Sequence, residues 1–581
     1  MALDPRQIGA AELAAARRKS RGLFWAVGIF SFFVNMLMLT GPLYMMNVYD
    51  RVLGSRSVET LIALSVLTAF LFAMMGLLDN VRARIMARVG ARFQAALDER
   101  VFSAMVRGAG QAGTAREAAS GLRDLESVQK LFTSPAFMSL FDLPFAPIFF
   151  AGIFIFHPWM GYLALGSAVV LIILALANQA SSRKPLETAN AAVIQAEMQG
   201  SQIRTEAETI QSLGMRQAAF RRWQVARDRS LQATVAASDV TGGYGSLIRA
   251  FRLFVQSAML GLGAFLALEG MMSSGAMIAG SILLGRALAP FEQIVGQWAA
   301  FQRAREGWRS LSLLLGEIRP EQPRTTLPRP KANLDVEQIT VVPPGEQVPV
   351  LRALSFSVRP GQAVGVVGIS GAGKSTLARA LTGLWRPMSG KIRLDGAALD
   401  QYDPDTLGRL IGYLPQRVTL FDGTIKDNIA RMSPKPDDAE VVRAAQAAAA
   451  HDMILRLPEG YDTRVAAAGG RLSGGQIQRI GLARALYGDP VVIVLDEPNS
   501  NLDNDGSIAL NNAIKHLKSV GKCVLIMAHR PAAIQECDVL LVIENGMRRA
   551  FGPKDDVLKE IMQNSRTIQQ AAQAGQTGGV S

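Results

Sequence analysis

Cysteine is scarce: there are two in 581 residues, Cys523 and Cys537, in no spacing that serves metal or redox chemistry. Both read as reduced core residues of a cytosolic domain. Zinc-ligand spacings are missing. No basic stripe is interleaved with aromatics, so nucleic acid is not an expected partner even though the formal net charge is +13. Charge itself is sparse, at 19% of residues against 49% hydrophobic, and mean hydropathy is +0.19. Such averages in a chain of this length describe two unlike parts, one lipid-facing and one water-soluble. The basic excess then belongs beside the apolar stretches, because Lys and Arg gather on the cytoplasmic side of membranes.

Arg17, Arg18, Lys19 and Arg21 precede Gly22–Tyr49, a stretch with no charged residue that exceeds the roughly 20 residues needed to cross a bilayer. A signal peptide would have a shorter apolar core and a small-residue cleavage site, so a retained span with a cytoplasmic N-terminus is expected. A second span is expected over Leu61–Leu78. Leu143–Ser182 is long enough for two more, turned at His157-Pro158-Trp159. The last two are expected over Leu253–Leu268 and Gly270–Gly285. Between spans, residues 82–134 and 180–240 are polar and helix-forming, and they extend the helices into the cytoplasm. External loops are short, the longest being about Asn47–Thr60. Arg249 and Arg252, three apart, share a helix face. With Arg286 they are candidates for the lining of a transport path, against the plainer reading of snorkelling to lipid headgroups.

Pro320, Pro323, Pro328 and Pro330 mark a stiff linker, and from Asn333 the pattern becomes strands alternating with helices. There the run Ala363–Val367 leads into Gly368-Ile369-Ser370-Gly371-Ala372-Gly373-Lys374-Ser375-Thr376 and then a helical segment. Strand, glycine loop and helix form a phosphate-binding P-loop, with backbone N–H groups and the helix N-terminus facing the phosphates. Lys374 is expected on the β- and γ-phosphates and the Ser375 hydroxyl on Mg²⁺. The run Val491–Leu495 ends in Asp496, placed to hold Mg²⁺, and in Glu497, placed to activate water. Ser473, Gly474, Gly475 and Gln476 open another helix and form a second anion-binding cap. Two caps on one triphosphate make sense when two copies face each other.

These motifs in this order resemble the ATP-binding cassette exporters. The resemblance implies an all-α transmembrane domain of six helices fused to an α/β P-loop ATP-binding cassette domain. It makes Leu472–Gln476 the signature motif, Gln416 the Q-loop residue near Mg²⁺, Ser500–Asp503 the D-loop, and His529 the switch histidine on the γ-phosphate. The implied ligands are ATP and Mg²⁺, and the implied assembly is a homodimer. Two residues depart from the pattern: Pro343 stands where an aromatic ring commonly stacks on adenine, and Ala467 where a coupling glutamate is common.

Asn47–Leu53 and Phe141–Pro147 further resemble type I secretion exporters, in the branch without an N-terminal peptidase domain. That implies ATP-driven export of an unfolded polypeptide with a C-terminal secretion signal across a bacterial inner membrane. The implied partners are a periplasmic membrane-fusion adaptor and an outer-membrane channel protein. Expected boundaries are 1–21 for a cytoplasmic segment, 22–318 for the membrane domain, 319–332 for the linker, 333–562 for the cassette and 563–581 for a disordered tail. An exporter of lipid, peptide or small molecule is the alternative within the class. An ATP-gated channel or regulator is the alternative outside it, and Glu497 argues against that.

Overall fold

Among the described residues of the computed structural model, six helical stretches are long and apolar enough to cross a membrane: Arg21–Ser55, Val58–Gly108, Pro135–Phe156, Pro158–Thr205, Arg216–Leu268 and Ser274–Gly296. The structure describes residues 4–110, 113–321, 324–465, 472–502, 504–528 and 531–560. They belong to two units, Met1–Pro320 and Glu321–Ser581.

In the first unit the helix ends depart from the apolar runs wherever a charge is paired. The third span starts at Pro135 rather than Leu143 and contains Asp142. The α-helix Pro135–Asp142 passes through a 3-10 turn, Leu143–Phe145, into Ala146–Phe156, and Arg82 of the second span, only 5% exposed, donates to the Asp142 carboxylate at 2.5 Å. Asn35 of the first span donates to the same oxygen at 2.9 Å, and Arg82 also bonds Ser31 and Asp79. One buried polar node therefore joins the first three spans, with each charge partnered as burial requires. Likewise the sixth helix runs from Ser274 to Gly296 and carries both Arg286 and Glu292, well past the expected Gly285.

The turn between the first two spans is mostly helical. A π-turn, Val48–Val52, aims Asp50 at the start of the sixth helix. Its carboxylate accepts from Ser273 Oγ at 2.7 Å and Gly275 N at 2.9 Å, supplying acceptor and negative charge where a helix N-terminus wants both. A Cβ at Gly275 would lie 2.6 Å from that carboxylate, so the approach requires glycine.

The fourth and fifth helices have 48 and 53 residues. At about 1.5 Å per residue they reach roughly 70–80 Å, more than twice a bilayer's apolar thickness. Residues 82–134, by contrast, are split into helices ending at Ala95, Gly108 and Thr133. The N-terminal segment is itself a helix, Pro5–Arg18, with Leu13 buried and Glu12 paired to Arg100 at 2.9 Å. Ile62, Val66 and Phe70, four residues apart on the second span, are each more than half exposed and form one apolar stripe along it.

Among its described residues the second unit holds twelve strands: β1 (Leu334–Val341), β2 (Leu351–Val358), β3 (Ala363–Val367), β4 (Ser389–Leu394), β5 (Ala397–Ala398), β6 (Ile411–Leu414), β7 (Gly423–Thr424), β8 (Arg464–Val465), β9 (Val492–Asp496), β10 (Cys523–Ala528), β11 (Val539–Glu544) and β12 (Met547–Pro553). The main sheet runs β12-β11-β3-β10-β9-β6, parallel except for β12. Every residue of β9 and β10 is buried, as expected for strands covered on both faces. An antiparallel sheet, β2-β1-β4-β5, lies in the same unit. Cys523 and Cys537 are buried and free, and burial pushes both thiols up to about 12.

Candidate functional site

Parallel strands present their C-terminal ends along one edge of a sheet, where ligands of open α/β domains bind. The glycine loop follows β3, Glu497 follows β9, and Gln416, exposed, follows β6. In the loop, Gly371 and Gly373 take φ values of +81° and +103°. A Cβ on Gly373 would meet the Leu351 side chain at 2.7 Å. Ala372 N–H donates to Ile369 O at 3.2 Å, tightening the loop before the helix Lys374–Leu381 begins. Ser370 is exposed at the rim, while Ala372 and Thr376 are buried beneath it.

Lys374 is buried, and its Nζ donates to Gly368 O at 2.8 Å and Ile369 O at 3.0 Å. Desolvation lowers its pKa, and the charges of Glu497 and Asp496 oppose that shift. The ammonium thus stands between the loop and both acids. Asp496, 3% exposed, accepts from the Ser375 hydroxyl, which favours its ionised form; burial and the Glu497 charge push its pKa the other way, with a net rise. Hydroxyl and carboxylate form a hard oxygen pair that suits a divalent cation of the magnesium type. Among the described residues no group of three or more His, Cys, Asp or Glu could hold a metal. The remaining ligands would be phosphate oxygens and water, which is how magnesium is usually held.

Glu497 has a φ of +52°, a strained setting for a residue other than glycine, of the kind that collects at functional sites. Its N–H donates to Met527 O at 3.0 Å, and its carbonyl accepts from Ser500 N–H at 3.2 Å. The chain then passes over the signature helix Gly474–Leu486. Gln478 Nε2 donates to Pro498 O at 3.2 Å, and a Cβ on Gly475 would lie 3.1 Å from Asn501 O. At the helix start Ser473 and Gln476 form a reciprocal capping box: Gln476 N–H donates to Ser473 Oγ and Ser473 N–H to Gln476 Oε1. Gly474 lies beside the Asn501 side chain.

The contacts bring Lys374, Ser375, Asp496 and Glu497 together, with Ser473–Gln476 in a cap of its own. Asp503, His529 and Ala467 lie outside the described residues. Pro343 accepts a turn bond from Glu346 N–H after β1. In the membrane unit, Arg252 Nε lies 2.9 Å from Glu292, a charge contact without an aligned hydrogen bond. Arg249 and Arg286 are exposed. Sequence reasoning missed Glu292, although a carboxylate in an apolar helix was the available signal.

Two family descriptions match the chain: "ABC transporter transmembrane region" over residues 24–288 and "ABC transporter" over 351–500. The chain is 41% identical to the "Type I secretion system ATP-binding protein PrsD" of Rhizobium meliloti, covering 97% of each protein. It is 30% identical to the "Cyclolysin secretion/processing ATP-binding protein CyaB" of Bordetella pertussis, over 96% of this chain and 79% of that one. Among solved structures, a bacterial Atm1-family ABC exporter with ATP bound shares the fold, with a TM-score of 0.78 and 22% identity over 95% and 98% of the two chains. Six membrane-length apolar helices, a P-loop ATPase unit and a full-length match of this kind lead to one assignment: the chain is a multi-pass membrane ATPase of the ABC transporter family, in its type I secretion branch.

Proposed function

We propose that this chain drives export of an unfolded polypeptide with a C-terminal secretion signal across a bacterial inner membrane. It works as a homodimer with a periplasmic membrane-fusion adaptor and an outer-membrane channel protein. The observation that carries this reading is the match along 97% of the chain to a type I secretion ATP-binding protein.

In this reading Lys374 binds the β- and γ-phosphates, and the N–H groups of Gly371–Thr376 surround them. Ser375 and Asp496 hold magnesium, with Gln416 beside it. When bound, the ion neutralises charge across the β- and γ-phosphate oxygens. Ser473 and Gly475 of one copy close over the triphosphate held by Lys374 of the other, with Asp503 bordering the junction. Glu497 accepts the proton of the attacking water while His529 contacts the γ-phosphate. Tighter binding of ATP to the closed pair than to the open one drives the switch. The long fourth and fifth helices carry it to the spans. Arg249 and Arg286, with Arg252 beside Glu292, are the candidate positive residues of the path.

The test compares proteins in the medium of a deletion strain with and without the restored gene. Export of a polypeptide predicts one or a few proteins that reappear only with the wild-type gene and not with Lys374→Ala. An unchanged set of secreted proteins, alongside altered lipid or small-molecule export, would overturn the reading.

A further inference from the structure

Gln416 stands in a short bridge between two anchors. On one side β6 ends at Leu414, which pairs with Leu495 of β9, the neighbour of Asp496. On the other side the chain settles onto the signature helix Gly474–Leu486. Val418 meets that helix at Gly481, where an added Cβ would lie 2.6 Å from the Val418 side chain, so the approach requires glycine. One residue further on, Arg484 of the same helix holds the backbone: its Nη1 donates to Thr419 O at 2.9 Å. The guanidinium also lies 5.3 Å from the Phe421 ring.

Asn428, fully buried, completes the grip. Arg484 donates to it twice, from Nε to the backbone carbonyl at 3.0 Å and from Nη2 to Oδ1 at 2.7 Å. The same Oδ1 accepts from Phe421 N–H at 2.8 Å. Asn428 Nδ2 donates to Phe421 O and Thr424 O, each at 2.9 Å. The amide thus uses both N–H donors and accepts twice, its full capacity. A planar guanidinium with donors on several edges can serve Thr419 and Asn428 together, which an ammonium cannot do in fixed directions. The end of the helix is held separately, by Arg431, which donates to Arg484 O and Ala485 O, both at 2.9 Å. The Arg484 side chain is therefore spent on the chain that follows Gln416, not on closing its own helix.

We propose that Arg484, through Thr419 and Asn428, is a positioning residue that fixes the far anchor of the Gln416 bridge and so sets where Gln416 stands for ATP hydrolysis. The inference rests on Gln416 acting beside the nucleotide-bound cation, as read above. Only residues 415–418 lie between the anchors, so the bridge has little slack. A shift of about 1 Å at a reacting centre can cost on the order of 10²-fold in rate.

The experiment measures ATP hydrolysis by the full chain in lipid nanodiscs, with melting temperature read in parallel. Arg484→Ala is expected to lower kcat by about 10–100-fold with a much smaller change in KM. Arg484→Lys keeps the charge but loses the fork, and falls between. The deciding comparison is a double-mutant cycle with Gln416→Ala. That substitution should cost about 10-fold or more in the wild-type chain and add little once Arg484 is alanine. Arg431→Lys is the control for helix stability: it lowers melting temperature, and Gln416→Ala keeps its full effect beside it. Arg484→Lys and Asn428→Asp carry the cycle if the alanine variant does not fold. Losses for Arg484 and Gln416 that simply multiply, or a kcat loss in Arg431→Lys equal to that in Arg484→Ala, would overturn the inference. Gln416→Ala alone separates the two claims: wild-type hydrolysis there removes Gln416 from the mechanism, and the positioning role goes with it.

Discussion

The two units lay out their polar groups along the chain in different ways. In the ATPase unit the chemistry comes in short runs of sequence, which the sheet then brings to one edge. Gly368 to Thr376 forms one loop, Ser473 and Gln476 cap one helix, and Asp496 and Glu497 end one strand. In the membrane unit two charges at the spans are matched far along the chain: Arg82 with Asp142, 60 residues on, and Asp50 with Gly275, 225 residues on. Water covers mistakes on a soluble surface, but lipid does not. A charge within a span must find a partner on another span, wherever in the sequence that partner lies.

The largest effect should come from the local side of this contrast. Glu497→Gln is expected to lower ATP hydrolysis by on the order of 10²–10⁴-fold while leaving ATP binding and a nucleotide-bridged dimer intact. Phosphate release and crosslinking of the purified chain check it, and full turnover would remove Glu497 from the mechanism.

The distant pairs are tested by breaking one. Asp142→Ala leaves Arg82 buried with Asp79 as its remaining acid, at a cost of about 3–5 kcal/mol in stability. Thermal unfolding in detergent reads this directly. Replacing both members, Arg82→Met with Asp142→Leu, should recover most of the loss. If the single substitution is silent, the node does not hold the spans together.

A cap offers a smaller and more local change. Ser473→Ala removes one acceptor at the start of a 13-residue helix, which typically costs about 1 kcal/mol. A much larger loss of hydrolysis than of melting temperature would mark a role beyond capping.

What could be read in advance follows the same division. The P-loop, the signature cap and the Asp496-Glu497 pair were legible because a turn, an N-cap and a buried strand end are written in neighbouring residues. The six spans were legible from charge-free runs. Their ends were not, because Asp142 and Glu292 look like breaks until Arg82 and Arg252 are seen beside them. The split of residues 82–134 into three helices was also hidden, since composition alone favours one long helix there.

The cysteines give an effect confined to alkaline pH. Burial pushes the folded thiols up to about 12, whereas thiols of unfolded chain ionise near 9.0. Native protein therefore keeps protons that unfolded chain loses between these values. Stability from each thiol is fully present below about pH 9 and declines by up to about 1.4 kcal/mol per pH unit above it. A double Cys523→Ser, Cys537→Ser variant should show a flatter loss of melting temperature between pH 9 and 10. An identical slope would mean the thiols are more accessible than their burial indicates.

The node of Arg82, Asp79 and Asp142 also has a history in time. Asp142 is made 60 residues after Arg82, and synthesis at about 5–20 residues per second puts that delay at roughly 3–12 seconds. During this interval the second span exists and its final counter-ion does not. Asp79, three residues from Arg82 and bonded to it at 2.7 Å, is already present on the same helix. It is a chaperone charge that travels with the arginine, and Asp142 completes the pairing when the third span arrives.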